Sequence, residues 1–465
     1  MAVKATDPAD LGLTEAVSLL DGGSLSSLEL VEACLHRIAE RDGTHSHEGD
    51  PGSITAWVRV YGEEATEAAK RADALHGDER PQLCGVPIGL KDLYSVAGKP
   101  VTASSQVLAD VPERDSEVWA RLKAAGMVLL GHLHTHEFAV GGTTDQVGNP
   151  WALDRTAGGS SGGSAAALAA HMTPAATGTD TAGSLRIPSA FCGTSTIKPT
   201  HGTTSFRDVV PLAPSFDVAG PMARTLEDCA ALLAPITSLD GRAAPARLEG
   251  VRLAVSPRLS MVELDPDVAD GFDGALEACR GLGATIVDAP PPATELDVGL
   301  DYLDILHAEL AAWHRRFADS RERYRPALRE WVEQGEEKET TAIDYAAAQM
   351  RRRESAYVWT DWLVEHRIDA LIEPTVTVVA WKRGDGYEEA GSDAELIALT
   401  HYWNWTGFPV GALPSGVGSR SGLPVGVSLI GAPGADWDLL SLGISLQAEL
   451  GVPESPLPAP PAAAS

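Results

Sequence analysis

Gly158-Gly159-Ser160-Ser161-Gly162-Gly163-Ser164 runs directly into the helix formers Ala165 to Ala170, and 24 positions after Ser160 comes Ser184, inside Gly178-Thr179-Asp180-Thr181-Ala182-Gly183-Ser184-Leu185-Arg186-Ile187-Pro188. Glycine and serine at this density would ordinarily mark a flexible linker. Here the stretch from Gly141 to Gly202 is broken by helix formers and by Ile187, Phe191 and Ile197. That mixture reads as a tightly packed core whose backbone approaches itself closely. The start of a helix adds unpaired N–H donors beside the first block. A phosphate-binding loop is the competitor, but no lysine follows the glycines, so the GxxxxGK[ST] pattern is absent. In the second block a serine after a small-residue turn exposes its hydroxyl while successive N–H groups point at one spot, as an oxyanion hole requires. Taken alone, Gly183-Ser184 reads more readily as an ordinary polar turn with no chemistry.

Upstream lies Gly85-Val86-Pro87-Ile88-Gly89-Leu90-Lys91-Asp92. A lysine closing an apolar strand is unusual, because a buried charge costs heavily unless paired or neutralised. It either pairs with a buried acid such as Asp92 or serves as a base, and the residues alone leave both open.

Around these blocks the chain alternates helix and strand. Leu28, Val31, Leu35 and Ile38 share one helical face, with Ser26 and Glu29 spaced as a capping box. Glu63 to Leu75 reads as a second helix. Val86 to Leu90, Met127 to Leu130, Val251 to Val255, Thr285 to Val287, Ala370 to Ile372 and Val425 to Ile430 read as strands. Asp267 to Leu282, most of Leu300 to His366, and Leu439 to Leu450 read as helices. The pattern predicts an α/β fold around a largely buried sheet.

The 465 residues carry a formal net charge of −29. That argues against a nucleic-acid partner, which needs clustered Lys and Arg, and against docking on anionic membranes. Five scattered cysteines without a CxxC pair, no signal-peptide pattern and no long apolar run point to a reduced, cytoplasmic setting with no membrane span.

Together the three blocks are far more specific than any one of them, and in this order and spacing they resemble the amidase signature family. Phe191-Cys192-Gly193, Lys198-Pro199-Thr200, Gly220-Pro221-Met222-Ala223-Arg224, Asn404-Trp405-Thr406-Gly407-Phe408-Pro409 and Gly422-Leu423-Pro424-Val425-Gly426 fit as well, so the likeness runs from about Leu11 to Gly451. The resemblance implies a large mixed β-sheet core flanked by helices on both faces. It implies one domain over 1–452, with the signature core at about 80–225 and a helical substrate-side region at about 300–366, followed by a Pro/Ala-rich flexible tail at 453–465. It also implies a catalytic set: Ser184 attacks the amide carbonyl, Ser160, on a cis peptide bond, relays the proton, and neutral Lys91 is the base. The N–H groups of Thr181, Ala182, Gly183 and Ser184 would hold the oxyanion. Asp180 and Arg186 would brace the loop, and Ser161 would join the network. Ala182 stands where the family usually has glycine; since alanine tolerates positive φ poorly, a slightly altered oxyanion turn is expected, with its N–H still available and activity retained. The implied activity is hydrolysis of the C–N bond of a small neutral amide, aryl amides included, to acid plus amine or ammonia. Carbamates, hydrazides and esters are open to the same acyl-enzyme path.

A free lysine titrates near ~10.4 and is ammonium at neutral pH, so the assignment requires burial of Lys91 to lower it. His136, Phe138, Trp381 and Trp403 are candidates for the substrate pocket, although the rings fit an ordinary core equally well. A different chemistry would use His132, His134 and His136 as zinc ligands; the blander expectation makes them loop histidines near the substrate entrance. A third reading is the partner-dependent amidase subunit of a glutamine-dependent tRNA amidotransferase. The favoured reading needs no metal, nucleotide or organic cofactor and no partner beyond the small-molecule amide, and family habit admits a homodimer.

Overall fold

Lys91 is delivered by a strand whose five residues, Pro87–Lys91, are all buried, as an apolar run in the middle of a sheet should be. The computed structural model of the chain describes residues 7–45, 47–384 and 393–455. Its strands are β1 (Trp57–Val60), β2 (Pro87–Lys91), β3 (Val128–Leu133), β4 (Gly148–Asn149), β5 (Ala152–Thr156), β6 (Ala175–Asp180), β7 (Ser195–Lys198), β8 (Val218–Ala223), β9 (Arg252–Val255), β10 (Thr285–Val287), β11 (Ala370–Pro374), β12 (Val410–Val417) and β13 (Pro424–Ile430). Eleven of them form one mixed sheet in the order β1-β3-β2-β6-β8-β7-β12-β13-β11-β9-β10, and β4 pairs with β5 apart from it. Strand β2 runs parallel to both β3 and β6, and β9 runs parallel to β10 and β11. The pairings from β6 through β8, β7, β12 and β13 to β11 are antiparallel.

Helices cover the sheet in two groups. Gly162–Ala169 and Arg186–Cys192 touch each other, while Leu226–Leu233 and Pro266–Gly281 both pack on Asp436–Leu450. Ala190 of the first group meets Gly426 of β13 and Gly271 of the second meets the neighbouring Val425, so the two groups lie on opposite faces of the sheet. The first long helix, Ser27–Arg41, begins with the expected capping box: Glu29 N–H donates to Ser26 Oγ at 3.1 Å and Ser26 N–H to Glu29 Oε2 at 2.8 Å. Between residues 299 and 366 the chain is helical, in Gly299–His314, Pro326–Glu337 and Ala342–His366.

Because β2 and β6 are parallel neighbours, Lys91 and Asp180 leave the sheet at the same edge, the carboxyl ends of two adjacent strands. Open α/β sheets place their ligands at such edges. Strand β3 runs on to Leu133, beyond the expected Leu130, and so takes in His132. Of the tail expected at 453–465, residues 456–465 lie outside the described residues.

Candidate active site

The Lys91 side chain is fully buried, and its ammonium nitrogen meets three hydroxyls: Ser160 Oγ at 2.7 Å, Ser161 Oγ at 2.9 Å and Thr179 Oγ1 at 2.9 Å. Pairing with Asp92 is not what the fold does. The Asp92 carboxylate turns away and accepts from the Thr102 and Ser104 N–H groups at 3.2 and 3.0 Å and from the Thr102 hydroxyl. Burial therefore dominates, and despite the more distant charges of Asp180 and Asp217 it lowers Lys91 to about 7. An amine in that range can be neutral at physiological pH and accept a proton.

Ser160 follows a cis peptide bond from Gly159. A Cβ on Gly159 would lie 1.9 Å from the Thr143 carbonyl oxygen, so only glycine fits where the two backbones meet. The Ser160 carbonyl accepts from His136 N–H at 3.0 Å, and the Ser184 carbonyl accepts from Ser161 N–H at 3.3 Å. These bonds bring both serine loops against the lysine.

The turn between β6 and the helix Arg186–Cys192 is held from behind by Asp180. Its carboxylate accepts from Gly183 N–H at 2.8 Å, Leu185 N–H at 3.1 Å, Asn404 Nδ2 at 2.8 Å, and Arg186 Nε and Nη2 at 3.0 and 2.9 Å. Burial alone would raise this acid, but the guanidinium and the hydrogen bonds prevail and hold it at about 2. Two consequences correct the sequence reading. The Gly183 N–H is committed to Asp180, which leaves the N–H groups of Thr181, Ala182 and Ser184 as the candidates for holding an oxyanion. The positive φ of the turn, +133°, falls on Gly183 and not on Ala182, so alanine fits there without strain.

Further groups buttress the same turn, and the motifs gave no signal for most of them. Tyr302 hydroxyl donates to the Thr181 carbonyl at 2.8 Å, Thr400 hydroxyl to the Ala182 carbonyl, and Thr181 hydroxyl to Asp217 Oδ1 at 2.6 Å. Burial raises Asp217 to about 6. Lys198 is a second fully buried lysine, brought to about 7 by burial and the nearby Arg186 charge against the pull of Asp180 and Asp436. Asn404 was visible only as the first residue of the Asn-Trp-Thr-Gly run.

The family model described as Amidase matches residues 29–440. The chain belongs to the amidase signature family. Over 99% of its length it is 34% identical to a glutamyl-tRNA(Gln) amidotransferase subunit from Anaeromyxobacter sp. (strain K), and it covers 100% of that protein. The structure of 6-aminohexanoate cyclic dimer hydrolase is similar with a TM-score of 0.85 and 27% identity over 97% of this chain and 99% of that one. Native peptide amidase from Stenotrophomonas maltophilia is similar with a TM-score of 0.82 and 26% identity over 97% and 99%. The amidase fold and its class of C–N bond chemistry are thus common ground between this chain and its relatives.

Two cavities border this site. A small one of about 40 Å³ is walled by Ser184, Ala182, Ile187, Leu306, Tyr302 and Trp331, with no charged side chain among its lining residues. It adjoins a chamber of about 970 Å³ through the shared walls Tyr302, Trp331 and Ile397. Of the four residues offered for the pocket, only His136 lines it. Phe138 is fully buried among Trp313, His314, Phe317 and Tyr324. Trp403 is fully buried, packs near Trp359, Tyr402 and Phe408, and donates its indole N–H to Glu373 at 2.5 Å. Trp381 packs into a small apolar cluster with Ile187, Phe191 and Val376. Packing against other apolar side chains captures all three.

The histidine run does not form a ligand set. His132, inside β3, has Tyr61 hydroxyl 2.8 Å from Nδ1 and the Tyr94 carbonyl 3.1 Å from Nε2. His134 Nδ1 lies 3.2 Å from Ser104 Oγ. Neither is a loop residue at the substrate entrance; both are fully buried. His136 alone reaches the chamber, because β3 ends at Leu133 and the chain then turns away from the sheet. Among the described residues no group of three or more His, Cys, Asp or Glu is placed to hold a metal ion.

Proposed function

We propose that this amidase hydrolyses the C–N bond of a small neutral amide through an acyl-enzyme on Ser184, with Lys91 as base and Ser160 as the hydroxyl that carries the proton between them. The observation that carries this reading is the buried Lys91 amine, bonded to three neutral hydroxyls and lowered to about 7. Lys91 accepts the Ser160 proton as Ser160 accepts that of Ser184, and Ser184 Oγ bonds to the carbonyl carbon. The oxyanion is met by the N–H groups of Thr181, Ala182 and Ser184. The proton returns along the same hydroxyls to the leaving nitrogen, and water then cleaves the ester.

Substrate polarity follows from the walls. A charged acyl group would find no counter-charge in the small cavity, and at about 40 Å³ the cavity by itself admits only a small apolar acyl group. The chamber beyond it is walled by His136, His307 and His401 together with the charged Asp145, Arg258, Asp297, Arg325 and Glu330. Burial, aided by neighbouring cations, lowers His136 to about 3 and His401 to about 4, and burial lowers His307 as well. Walls that carry charges of both signs beside neutral rings suit a polar part of the substrate beyond the acyl group. The reading includes cytoplasmic action; among the described residues no helix is long and apolar enough to cross a membrane.

The full-length likeness to the glutamyl-tRNA(Gln) amidotransferase subunit favours one other reading, a protein that hydrolyses glutamine for a partner. A panel of aliphatic amides, aryl anilides, hydrazides, carbamates, esters and free glutamine separates the two. Neutral amides cleaved without a partner, insensitive to a chelator and lost in Ser184→Ala, support the first. Cleavage of glutamine alone supports the second.

A further inference from the structure

The helix Ala342–His366 buries Ala348, Ser355, Trp359, Trp362 and Leu363 against the body of the molecule. Its opposite face carries four large apolar side chains that the fold leaves in solvent: Ile343 (80% exposed), Met350 (71%), Tyr357 (66%) and Val364 (73%). They recur every seven residues, the repeat that keeps side chains on one stripe when two helices pack side by side. The stripe is about 30 Å long at the helical rise. Single exposed apolar residues are normal on a protein surface, but an aligned row of four is the mark of a covered face.

The order of the residues says what covers it. Ile343 and Val364 have their midpoint between Arg353 and Glu354, and so do Met350 and Tyr357. A second copy of this helix, turned antiparallel about a two-fold axis at that midpoint, sets Ile343 against the second copy's Val364 and Met350 against its Tyr357. The same operation sets Arg353 of each copy against Glu354 of the other, so the axis is crossed by two opposite-charge pairs. Both side chains are exposed on the free chain. Ala346 and Ala347 on the same face are small enough to let the two helices approach. A parallel pairing would instead put Arg353 against Arg353 and Glu354 against Glu354. Self-complementarity of this kind, where i meets j and j meets i, is what a two-fold interface requires.

We propose that this protein forms a two-fold dimer by antiparallel packing of the Ala342–His366 helices, with the occupant of the stripe being a second copy of the chain. The inference is independent of the substrate reading. It is tested by sedimentation or light scattering of the full chain, with circular dichroism and thermal melting confirming that each variant is folded. The wild type is expected at about twice the 48.8 kDa chain mass. Met350→Glu, which places acids in the seam, is expected at the monomer mass. Arg353→Glu and Glu354→Arg are each expected to be monomers, because each brings like charges together at the axis, while the double variant Arg353→Glu with Glu354→Arg regains the dimer. A wild type that is monomeric on its own overturns the proposal, including one that associates only with a different protein. So does a dimer that survives Met350→Glu, or a double charge reversal that fails to restore what the single reversals break.

Discussion

Residues 141–202 and 299–366 are of similar length and border the same cavity, yet they use their side chains in opposite ways. In the first, every residue from Thr156 to Pro199 is buried except His171 and Ala182, and the residues are mostly Gly, Ala, Ser and Thr. Backbone meets backbone there, and polar groups are satisfied at fixed positions. Ala182 escapes burial because it faces the cavity. In the second, bulky rings and long charged side chains make a helical layer whose inner face closes the cavities through Tyr302, Leu306 and Trp331, and whose outer face carries salt bridges and the apolar stripe. Chemistry that needs atoms held to fractions of an ångström sits on the part with no room to move. The part proposed to choose the substrate is built from side chains that can be exchanged with less disturbance.

The largest expected effect strikes the first region. Gly159→Ala forces a methyl into the Thr143 carbonyl. It should cost roughly 4 kcal/mol or more, and the expected outcome is loss of soluble folded protein or a strongly lowered melting temperature. A variant with wild-type stability would break the claim that the backbones interlock. Next come the reacting groups. Ser184→Ala and Lys91→Met should each lower kcat/KM by roughly four orders of magnitude while leaving thermal unfolding close to wild type for the serine. The comparison weakens if either enzyme turns over at an ordinary rate.

The third prediction concerns pH. With Lys91 at about 7, kcat/KM should rise about tenfold per pH unit below that value and level off above it, as the amine loses its proton. The same shift has a sign for stability. The unfolded chain keeps a lysine proton that the folded chain has released, so stability grows as pH rises from about 7 toward 10.5, the ordinary lysine value. Lys198, also at about 7, adds in the same direction. A rate profile that falls as pH rises through 7 would point to a protonated group as the base's replacement.

The smallest effects belong to the helical region. Trp331→Ala opens the wall shared by both cavities, and His307→Phe replaces an imidazole of the chamber wall with a wholly apolar ring. Each should raise KM by about tenfold for the best substrate, with kcat changed little. By contrast Phe138→Ala, at a residue first read as pocket, should cost about 3–5 kcal/mol of stability and leave substrate preference unchanged. Equal loss of kcat at Trp331 or His307 would remove the distinction between the two regions.

The residues proposed for the chemistry were readable because each is an exception to local rules: a lysine ending an apolar strand, serines among glycines, an arginine two positions after the proposed nucleophile. The outer strands β9, β11 and β13 were readable from their apolar runs. The middle of the sheet was not. Strand β6 is Ala-Ala-Thr-Gly-Thr-Asp and β8 is Val-Ala-Gly-Pro-Met-Ala, with few of the β-branched or aromatic residues that mark strands, since pairing and burial under helices decide them. The rings misled for a related reason. Phe138, Trp381 and Trp403 lie near cavity-forming loops in sequence, but which face of a ring finds another side chain depends on contacts tens to hundreds of residues away. His132 and His134 followed the same logic, taken by Tyr61, Tyr94 and Ser104. The commitment of the Gly183 N–H to Asp180 is a matter of turn geometry that spacing does not encode.

The mechanism turns most directly on Ser184 as the residue that becomes acylated. Treating the full-length protein with an aryl carbamate and measuring intact mass, then the mass of the digested peptides, reads this without knowledge of the natural substrate. The expected result is a single carbamoyl adduct on the peptide containing Ser184, absent in Ser184→Ala and formed more slowly below pH 7. Turnover of an amide by a protein that never carries an adduct at Ser184 would contradict the mechanism.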